Sequence, residues 1–183
     1  MYLCIKIKKQ HHMSQEFYII ACINRNLTLG NKGELLYHIK NDLANFKRLT
    51  EHNIVIMGKT TYESLPNKKP LPNRINIIIT HDTSYEVEGA IVVHSIHEAI
   101  EMCENPFFKG KKRFIIGGGT IYNQFLMANL VKNIILTEVN DNTIGDTTFP
   151  EIDMENFRIC FQTDWMQSES GLEYRYKFLK SQS

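Results

Sequence analysis

The sequence predicts an α/β fold, with a mainly parallel central sheet of about eight strands, a C-terminal antiparallel hairpin at one edge and about four flanking helices. Along residues 17–139, short β-branched or aromatic runs alternate with helical signals. Buried parallel strands have such near-continuous apolar sequences, and the helices that connect them cover both faces of the sheet. The last two runs instead alternate polar with apolar residues around QSESG, which is typical of an antiparallel hairpin.

Eight runs are predicted to be strands, because each is short and rich in β-branched or aromatic residues. Six precede the hairpin and two form it. The predicted strands are residues 17–23, 54–57, 75–80, 90–93, 113–116, 134–139, 157–163 and 173–179.

Four segments between the strands have helical patterns. Two of them contain a hydroxyl residue followed three residues later by glutamate, the spacing of a capping box: Thr60 with Glu63, and Ser95 with Glu98. The predicted helices are residues 41–49, 60–65, 95–103 and 120–128.

Length and charge limit the classes of function. A chain of 183 residues fits a single domain, which we assign to residues 14–183. With 21 basic and 20 acidic residues the formal net charge is +1, too small for a broad field toward nucleic acid or an anionic membrane. We therefore expect a monomer that binds small molecules and has neither nucleic acid nor membrane as a partner.

Residues 1–13 are interpreted as an N-terminal extension from an upstream start or from added sequence. Their lysines follow the short apolar patch instead of preceding it, which is the wrong order for a secretory signal. We expect a cytoplasmic protein without a metal site. The cysteines form no CxxC pair and are expected to be buried free thiols: Cys4, Cys22, Cys103 and Cys160.

Two glycine-bounded turns between a strand and a helix are candidate phosphate sites. The triplet Gly58-Lys59-Thr60 resembles the end of a nucleotide P-loop, but the four residues before it form an apolar strand and not a loop, so a P-loop is excluded. In RFIIGGGTIYNQF, three glycines lead from a strand into a helix, where free N–H groups bind a pyrophosphate well. A tight packing turn is the alternative for the second motif, which lacks the full GxGxxG pattern.

Asp42 is a candidate site carboxylate. In a helix it projects to the same side as Phe46, within an apolar stripe that includes Leu43 and Leu49. A carboxylate in a first helical turn is also favourable at an ordinary surface, because it interacts with the helix dipole. The functional interpretation is a carboxylate at the rim of an apolar pocket that holds a flat, amidine-like ring.

Together these features resemble dihydrofolate reductase over nearly the whole chain, from Phe17 to Leu179. The resemblance rests on an ordered set of motifs and not on one of them. The motifs are LG at 29–30, DLANFKRLT at 42–50, IVIMGKTTYESL at 54–65, PLPNR at 70–74, IIGGGTIY at 115–122, LTEV at 136–139 and GDTTFP at 145–150.

The resemblance implies NADPH-dependent reduction of 7,8-dihydrofolate. By analogy, Asp42 binds the 2-amino group and N3 of the pterin, Thr137 hydrogen-bonds Asp42, and Arg74 pairs with the glutamyl carboxylate. Tyr37 stands where many bacterial members have tryptophan, in Leu36-Tyr37 instead of Pro-Trp, and is predicted to take part in catalysis. The other implied substrate contacts are Ile20, Ala21, Leu43, Phe46, Leu65, Leu71, Ile116 and Tyr122.

For the cofactor, the resemblance implies that the triple-glycine turn binds the pyrophosphate of NADPH and that Lys59 binds its 2′-phosphate. Thr120 and His81 stand where a second cation or a serine is frequent, so a weaker preference for NADPH over NADH is expected. The implied cofactor contacts are Cys22, Leu29, Gly30, Gly58, Lys59, Thr60, Thr61, Thr80, His81, Gly117, Gly118, Gly119, Thr120, Ile121, Tyr122 and Gln124.

Two other functions are consistent with such a sheet. A pyrimidine reductase of riboflavin synthesis also uses NADPH, but its substrate carries a ribose phosphate and would require basic residues facing it. A non-catalytic relative would bind the nucleotide without turnover. The pairing of Asp42 with the Phe46 stripe favours a pterin over the first of these.

Overall fold

The computed structural model describes residues 16–182, which contain twelve strands and four α-helices. The strands are β1 (Phe17–Asn24), β2 (Thr28–Asn31), β3 (Glu34–Leu35), β4 (Ile54–Gly58), β5 (Ile75–Ile79), β6 (Ile91–Val93), β7 (Arg113–Gly117), β8 (Val131–Val139), β9 (Thr147–Thr148), β10 (Phe157–Gln162), β11 (Met166–Gln167) and β12 (Glu173–Ser181). The helices are α1 (Lys40–Thr50), α2 (Lys59–Glu63), α3 (Ile96–Cys103) and α4 (Gly119–Met127).

The main sheet has the strand order β10-β12-β8-β1-β7-β4-β5-β6, with β11 paired to β12. All pairs from β8 to β6 are parallel, whereas β12 is antiparallel to β8, β10 and β11. The predicted α/β class, the mainly parallel sheet and the C-terminal hairpin are thus confirmed. Because β8, β1, β7 and β4 are parallel neighbours, the segments that follow them meet at one carboxyl edge of the sheet.

Of the two predicted helix caps, one is present in the structure and the other is not. Ser95 caps α3 as expected, since its hydroxyl accepts a hydrogen bond from the Glu98 N–H at 3.1 Å. The predicted cap at Thr60 is wrong, because α2 begins one residue earlier and its N-cap is Gly58, without a side-chain cap bond. The strand β4 extends to Gly58, so helical geometry starts directly at Lys59.

A second, three-stranded sheet of β3, β2 and β9 was not predicted. Its strands have two to four residues, too short for a hydrophobic period to be visible in the sequence. This small sheet connects the chain after β1 to the chain after β8, and therefore lies at the same carboxyl edge as the candidate site.

The thiol prediction is partly wrong. Cys103 is buried and Cys22 is half-buried, but Cys160 is exposed on β10. This strand is the edge of the main sheet, and only its first residue, Phe157, is buried. An apolar run in the sequence therefore did not indicate burial at this edge. Cys4 and the predicted extension at residues 1–13 lie outside the described residues.

Candidate functional site

Asp42 and Thr137 form the polar centre of the site. Asp42 lies in the first turn of α1, and the hydroxyl of Thr137 on β8 donates a hydrogen bond to Asp42 Oδ1. Thr137 is buried and Asp42 is half-buried. Burial raises the pKa of the Asp42 carboxyl, and the interactions with Thr137 and Cys22 oppose that rise. The carboxylate is therefore held by neutral donors and has no basic side chain as a partner among the residues described.

Cys22 and Tyr176 lie on either side of Thr137, because both are its register partners on the neighbouring strands β1 and β12. Partners in register share one face of a sheet, so all three side chains face Asp42. Burial and the nearby Asp42 charge raise the pKa of Cys22, and the same two causes, burial first, raise the pKa of Tyr176 to about 12. Both groups thus stay protonated beside the carboxylate. The sequence prediction did not include Tyr176.

An apolar cluster lies beside this polar centre and brings together five of the predicted substrate contacts: Ile20, Phe46, Leu65, Leu71 and Ile116. Phe46 belongs to α1, one helical turn after Asp42, so the helix places the carboxylate and the ring side by side.

Three other predicted substrate contacts lie elsewhere. Leu43 is 42% exposed and does not belong to the cluster. Ala21 alternates with Ile20 along β1 and packs with Tyr122 in the larger core on the opposite face of the sheet. The Tyr122 hydroxyl donates to the Ile20 carbonyl at 2.9 Å, which ties α4 to β1.

Asn76 shapes the loop that carries Leu71 and Arg74. Its buried side chain accepts from the Leu71 N–H and donates to the carbonyls of Leu71 and Arg74, at 2.9–3.1 Å. The Arg74 guanidinium donates to the Thr50 hydroxyl at the end of α1, at 3.2 Å. Arg74 is half-buried and lies at the other end of α1 from Asp42.

The two glycine-bounded turns meet at the carboxyl edge, since β4 and β7 are parallel neighbours. A Cβ on Gly118 would lie 3.3 Å from Thr61 Oγ1, and a Cβ on Gly119 would lie 2.4 Å from the Thr148 carbonyl oxygen. Gly118 is the N-cap of α4, and as a glycine it has no side chain that could accept from the first N–H groups of the helix. The first N–H groups of α4 have no partner within the helix. This narrow, donor-rich turn fits a pyrophosphate, and side chains at its glycines would block it.

Lys59 projects from the first residue of α2. Its Nζ lies 3.0 Å from Asp82 Oδ2 and 4.2 Å from the centre of the Tyr85 ring. Thr80 is buried directly after β5, while His81 and Thr120 are exposed. The sequence did not predict the contacts of Lys59 with Asp82 and Tyr85. Lys59 follows β4 and the other two residues follow β5, and no short sequence motif spans both segments.

The remaining predicted cofactor contacts surround these two turns or lie in the small sheet. Gly58, Thr61, Gly117 and Ile121 are at the interface of α2 and α4, where a Cβ on Gly58 would lie 3.2 Å from Ile121. Thr60 is exposed and Gln124 is half-buried. Leu29 and Gly30 belong to β2.

Tyr37 has its hydroxyl in a polar network and not free toward the apolar cluster. It donates to Asp141 Oδ2 at 2.5 Å and accepts from Asn24 Nδ2 at 3.0 Å. Asn24 is buried and its Nδ2 also donates to the Thr143 carbonyl, at 2.7 Å. Burial, followed by the bond to Asp141, raises the pKa of Tyr37 to about 12, so the hydroxyl stays a donor. The network joins the chain before α1 to the chain after β8.

Replacing Tyr37 by phenylalanine is expected to lower the free energy of unfolding by about 1 kcal/mol, because the bond to Asp141 is lost. The bond also orders the chain before α1, so the KM for dihydrofolate should rise more than kcat falls. Urea unfolding measures the change in stability, and steady-state kinetics measure KM and kcat. Tyr18→Phe is the control, since the Tyr18 hydroxyl donates to the Glu16 carboxylate at the surface, at 3.3 Å. A fall in kcat with unchanged stability would instead support the catalytic role predicted for Tyr37.

Two kinds of feature are absent from the described residues. Residues 16–182 contain no group of three or more His, Cys, Asp or Glu side chains arranged to hold a metal ion. Within the same range, no helix has both the length and the apolar character needed to cross a membrane.

Comparison with known proteins shows the family of this chain. The family model for dihydrofolate reductase matches residues 16–182. The chain belongs to the dihydrofolate reductase family. The fold is shared with the dihydrofolate reductase of Enterococcus faecalis complexed with NADP(H) and RAB-propyl, with a TM-score of 0.81, 27% identity and coverage of 93% of this chain and 98% of that one.

The chain also matches curated relatives of this family over about nine-tenths of their length. The dihydrofolate reductase of Neisseria gonorrhoeae is 37% identical over 158 residues, which are 86% of this chain and 93% of the relative. That of Bacillus subtilis is 32% identical over 160 residues, 87% of this chain and 90% of the relative. The family predicted from the ordered motifs is confirmed.

Proposed function

We propose that the chain is an NADPH-dependent oxidoreductase that reduces 7,8-dihydrofolate to 5,6,7,8-tetrahydrofolate, and so supports one-carbon metabolism and thymidylate synthesis. One observation carries the proposal: the Asp42–Thr137 pair borders an apolar cluster at the same sheet edge as the triple-glycine turn. A pterin needs a carboxylate at its amidine-like edge and apolar side chains against its faces. The pyrophosphate of a dinucleotide needs the N–H groups of the turn.

Asp42 binds and orients the substrate in this proposal. Its two oxygens accept hydrogen bonds from the 2-amino group and N3 of the pterin, a charge-assisted contact that fixes the ring in one orientation. Thr137 holds the carboxylate in place, and Phe46 packs against the ring. Arg74, at the far end of α1, pairs with the glutamyl carboxylate.

Bound NADPH supplies the hydride equivalent for the pterin carbon. The triple-glycine turn holds its pyrophosphate, Lys59 faces its 2′-phosphate, and the apolar cluster keeps bulk water from the rings. Asp42 favours protonation of the ring nitrogen beside the reduced carbon. Water delivers that proton, because the carboxylate binds the opposite edge of the ring.

The direct test is the loss of NADPH absorbance when dihydrofolate is added. Oxidation that depends on dihydrofolate is the expected result. A folded protein that binds NADPH but does not oxidise it would contradict the proposal and favour a non-catalytic relative. The cytoplasmic location and the monomeric state are further parts of the proposal, and size-exclusion chromatography tests the second.

Replacing Lys59 by alanine is expected to raise the KM for NADPH about fivefold and to leave the KM for NADH nearly unchanged, since only NADPH carries the 2′-phosphate. Lys112→Ala is the matched control: Lys112 also lies over a tyrosine ring, that of Tyr18 at 5.4 Å, but at the opposite edge of the sheet. Equal changes for both dinucleotides in Lys59→Ala would remove Lys59 from the phosphate site.

A further inference from the structure

The ion pair between Lys59 and Asp82 places an acidic side chain where the proposed function puts a phosphate. Lys59 follows β4 and Asp82 follows β5, and these strands are parallel neighbours with Gly58 opposite Ile79. Lys59 Nζ lies 3.0 Å from Asp82 Oδ2 and also over the Tyr85 ring. The cation is thus paired on one side and packed on another.

Asp82 is fixed by its own turn and does not depend on Lys59 for its position. Its Oδ1 accepts from the Ser84 N–H at 3.1 Å and from the Ser84 hydroxyl at 2.7 Å, while its own N–H donates to the Thr80 hydroxyl at 3.2 Å. The bonds from Ser84, followed by the one from Lys59, lower the pKa of Asp82 to about 2. At neutral pH the site therefore has a fixed anion, with Oδ2 directed at the lysine.

This arrangement has opposite effects on the two nicotinamide dinucleotides. A 2′-phosphate that approaches Lys59 meets a cation already neutralised by a carboxylate, and it is repelled by that carboxylate. A ribose with a free 2′-hydroxyl can donate to the same carboxylate, as acidic residues do in sites for NAD. Specificity is the difference between two affinities, and a repulsive group lowers one of them selectively.

We propose that Asp82 is a specificity-determining residue that weakens the preference for NADPH over NADH by competing with the 2′-phosphate for Lys59. The inference rests on the proposed function, which places the adenosine end of the cofactor at Lys59. Asp82 is then the side chain that weakens discrimination between NADPH and NADH, and removal of its charge is expected to restore that discrimination.

The test variant is Asp82→Asn. Asparagine keeps Oδ1 as the acceptor for Ser84 but has an NH2 group in place of Oδ2, and this group cannot accept a hydrogen bond from Lys59. The Kd values of NADPH and NADH are measured by calorimetry at low ionic strength, without substrate. The variant is expected to bind NADPH about tenfold more tightly and to bind NADH equally well or more weakly.

Glu88→Gln is the matched control, since Glu88 is exposed on the same loop and does not pair with Lys59. This variant has the same change of charge, and its ratio of Kd values is expected to stay within about twofold of the parent. A second variant, Lys59→Ala combined with Asp82→Asn, should lose most of the gain in NADPH affinity. That loss would assign the effect to the pair and not to the net charge.

The outcomes separate this inference from the proposed function. A parent protein that binds both dinucleotides, with an unchanged ratio in Asp82→Asn, would overturn the inference and leave the proposed function intact. Equal tightening of NADPH and NADH would overturn it as well. A parent protein that binds neither dinucleotide would contradict both.

Discussion

Replacing Asp42 by asparagine is expected to lower turnover of dihydrofolate by about one to two decades, because one charge-assisted hydrogen bond is worth about 1.5–3 kcal/mol. Loss of assisted protonation at the ring nitrogen adds to this effect. Asparagine is isosteric and keeps Oδ1 as the acceptor for Thr137, so the local geometry is preserved. Steady-state oxidation of NADPH measures the change.

The same variant is expected to keep or to increase its stability. Burial raises the pKa of Asp42 in the folded protein. A carboxyl with a raised folded pKa stabilises the fold at low pH, and this contribution is lost as the pH rises through the folded pKa. At neutral pH the ionised Asp42 therefore costs stability, and a neutral asparagine removes that cost. The Tm of Asp42→Asn should equal or exceed that of the parent.

Glu88→Gln is the control for the change of charge, since Glu88 is exposed on the loop between β5 and β6, and β5 lies four strands from β8 in the main sheet. Its turnover and Tm should match those of the parent. Near-normal turnover in a folded Asp42→Asn variant would overturn the role of Asp42. A large loss of Tm would instead mean that Asp42 mainly stabilises the fold.

The main sheet was largely predictable because its parallel strands are mostly buried and rich in β-branched residues. Runs such as 54–57 and 75–80 have no polar residue that faces solvent, and the observed β4 and β5 end within one residue of the predicted bounds. The small sheet could not be predicted, because strands as short as Glu34–Leu35 depend on pairing with distant segments and not on their own pattern.

The site was predictable where its residues share one element or one motif. Asp42 and Phe46 are neighbours on α1, and the triple glycine directly precedes α4. Contacts between residues distant in sequence were not predictable: Tyr176 joins Asp42 only through the register of β12 with β8. Asp82 likewise reaches Lys59 only because β4 and β5 are adjacent.

Replacing Gly119 by alanine is expected to damage both the fold and the cofactor site. The added Cβ would lie 2.4 Å from the carbonyl oxygen of Thr148, a backbone atom of β9 that cannot rotate away. Either α4 or the small sheet must shift, which should cost about 1–3 kcal/mol of unfolding free energy. Because the first N–H groups of α4 move with Gly119, we expect the Kd for NADPH to rise at least about tenfold.

Gly110→Ala separates the steric effect from the general cost of replacing glycine. Gly110 has a φ of +82° and nothing within 4 Å of its added Cβ, so alanine there causes backbone strain alone, about 1–2 kcal/mol. Both variants should therefore be less stable than the parent in urea, but only Gly119→Ala should bind NADPH more weakly in calorimetry. Normal NADPH affinity in Gly119→Ala would mean that the triple-glycine turn serves close packing, which is the alternative that its sequence leaves open.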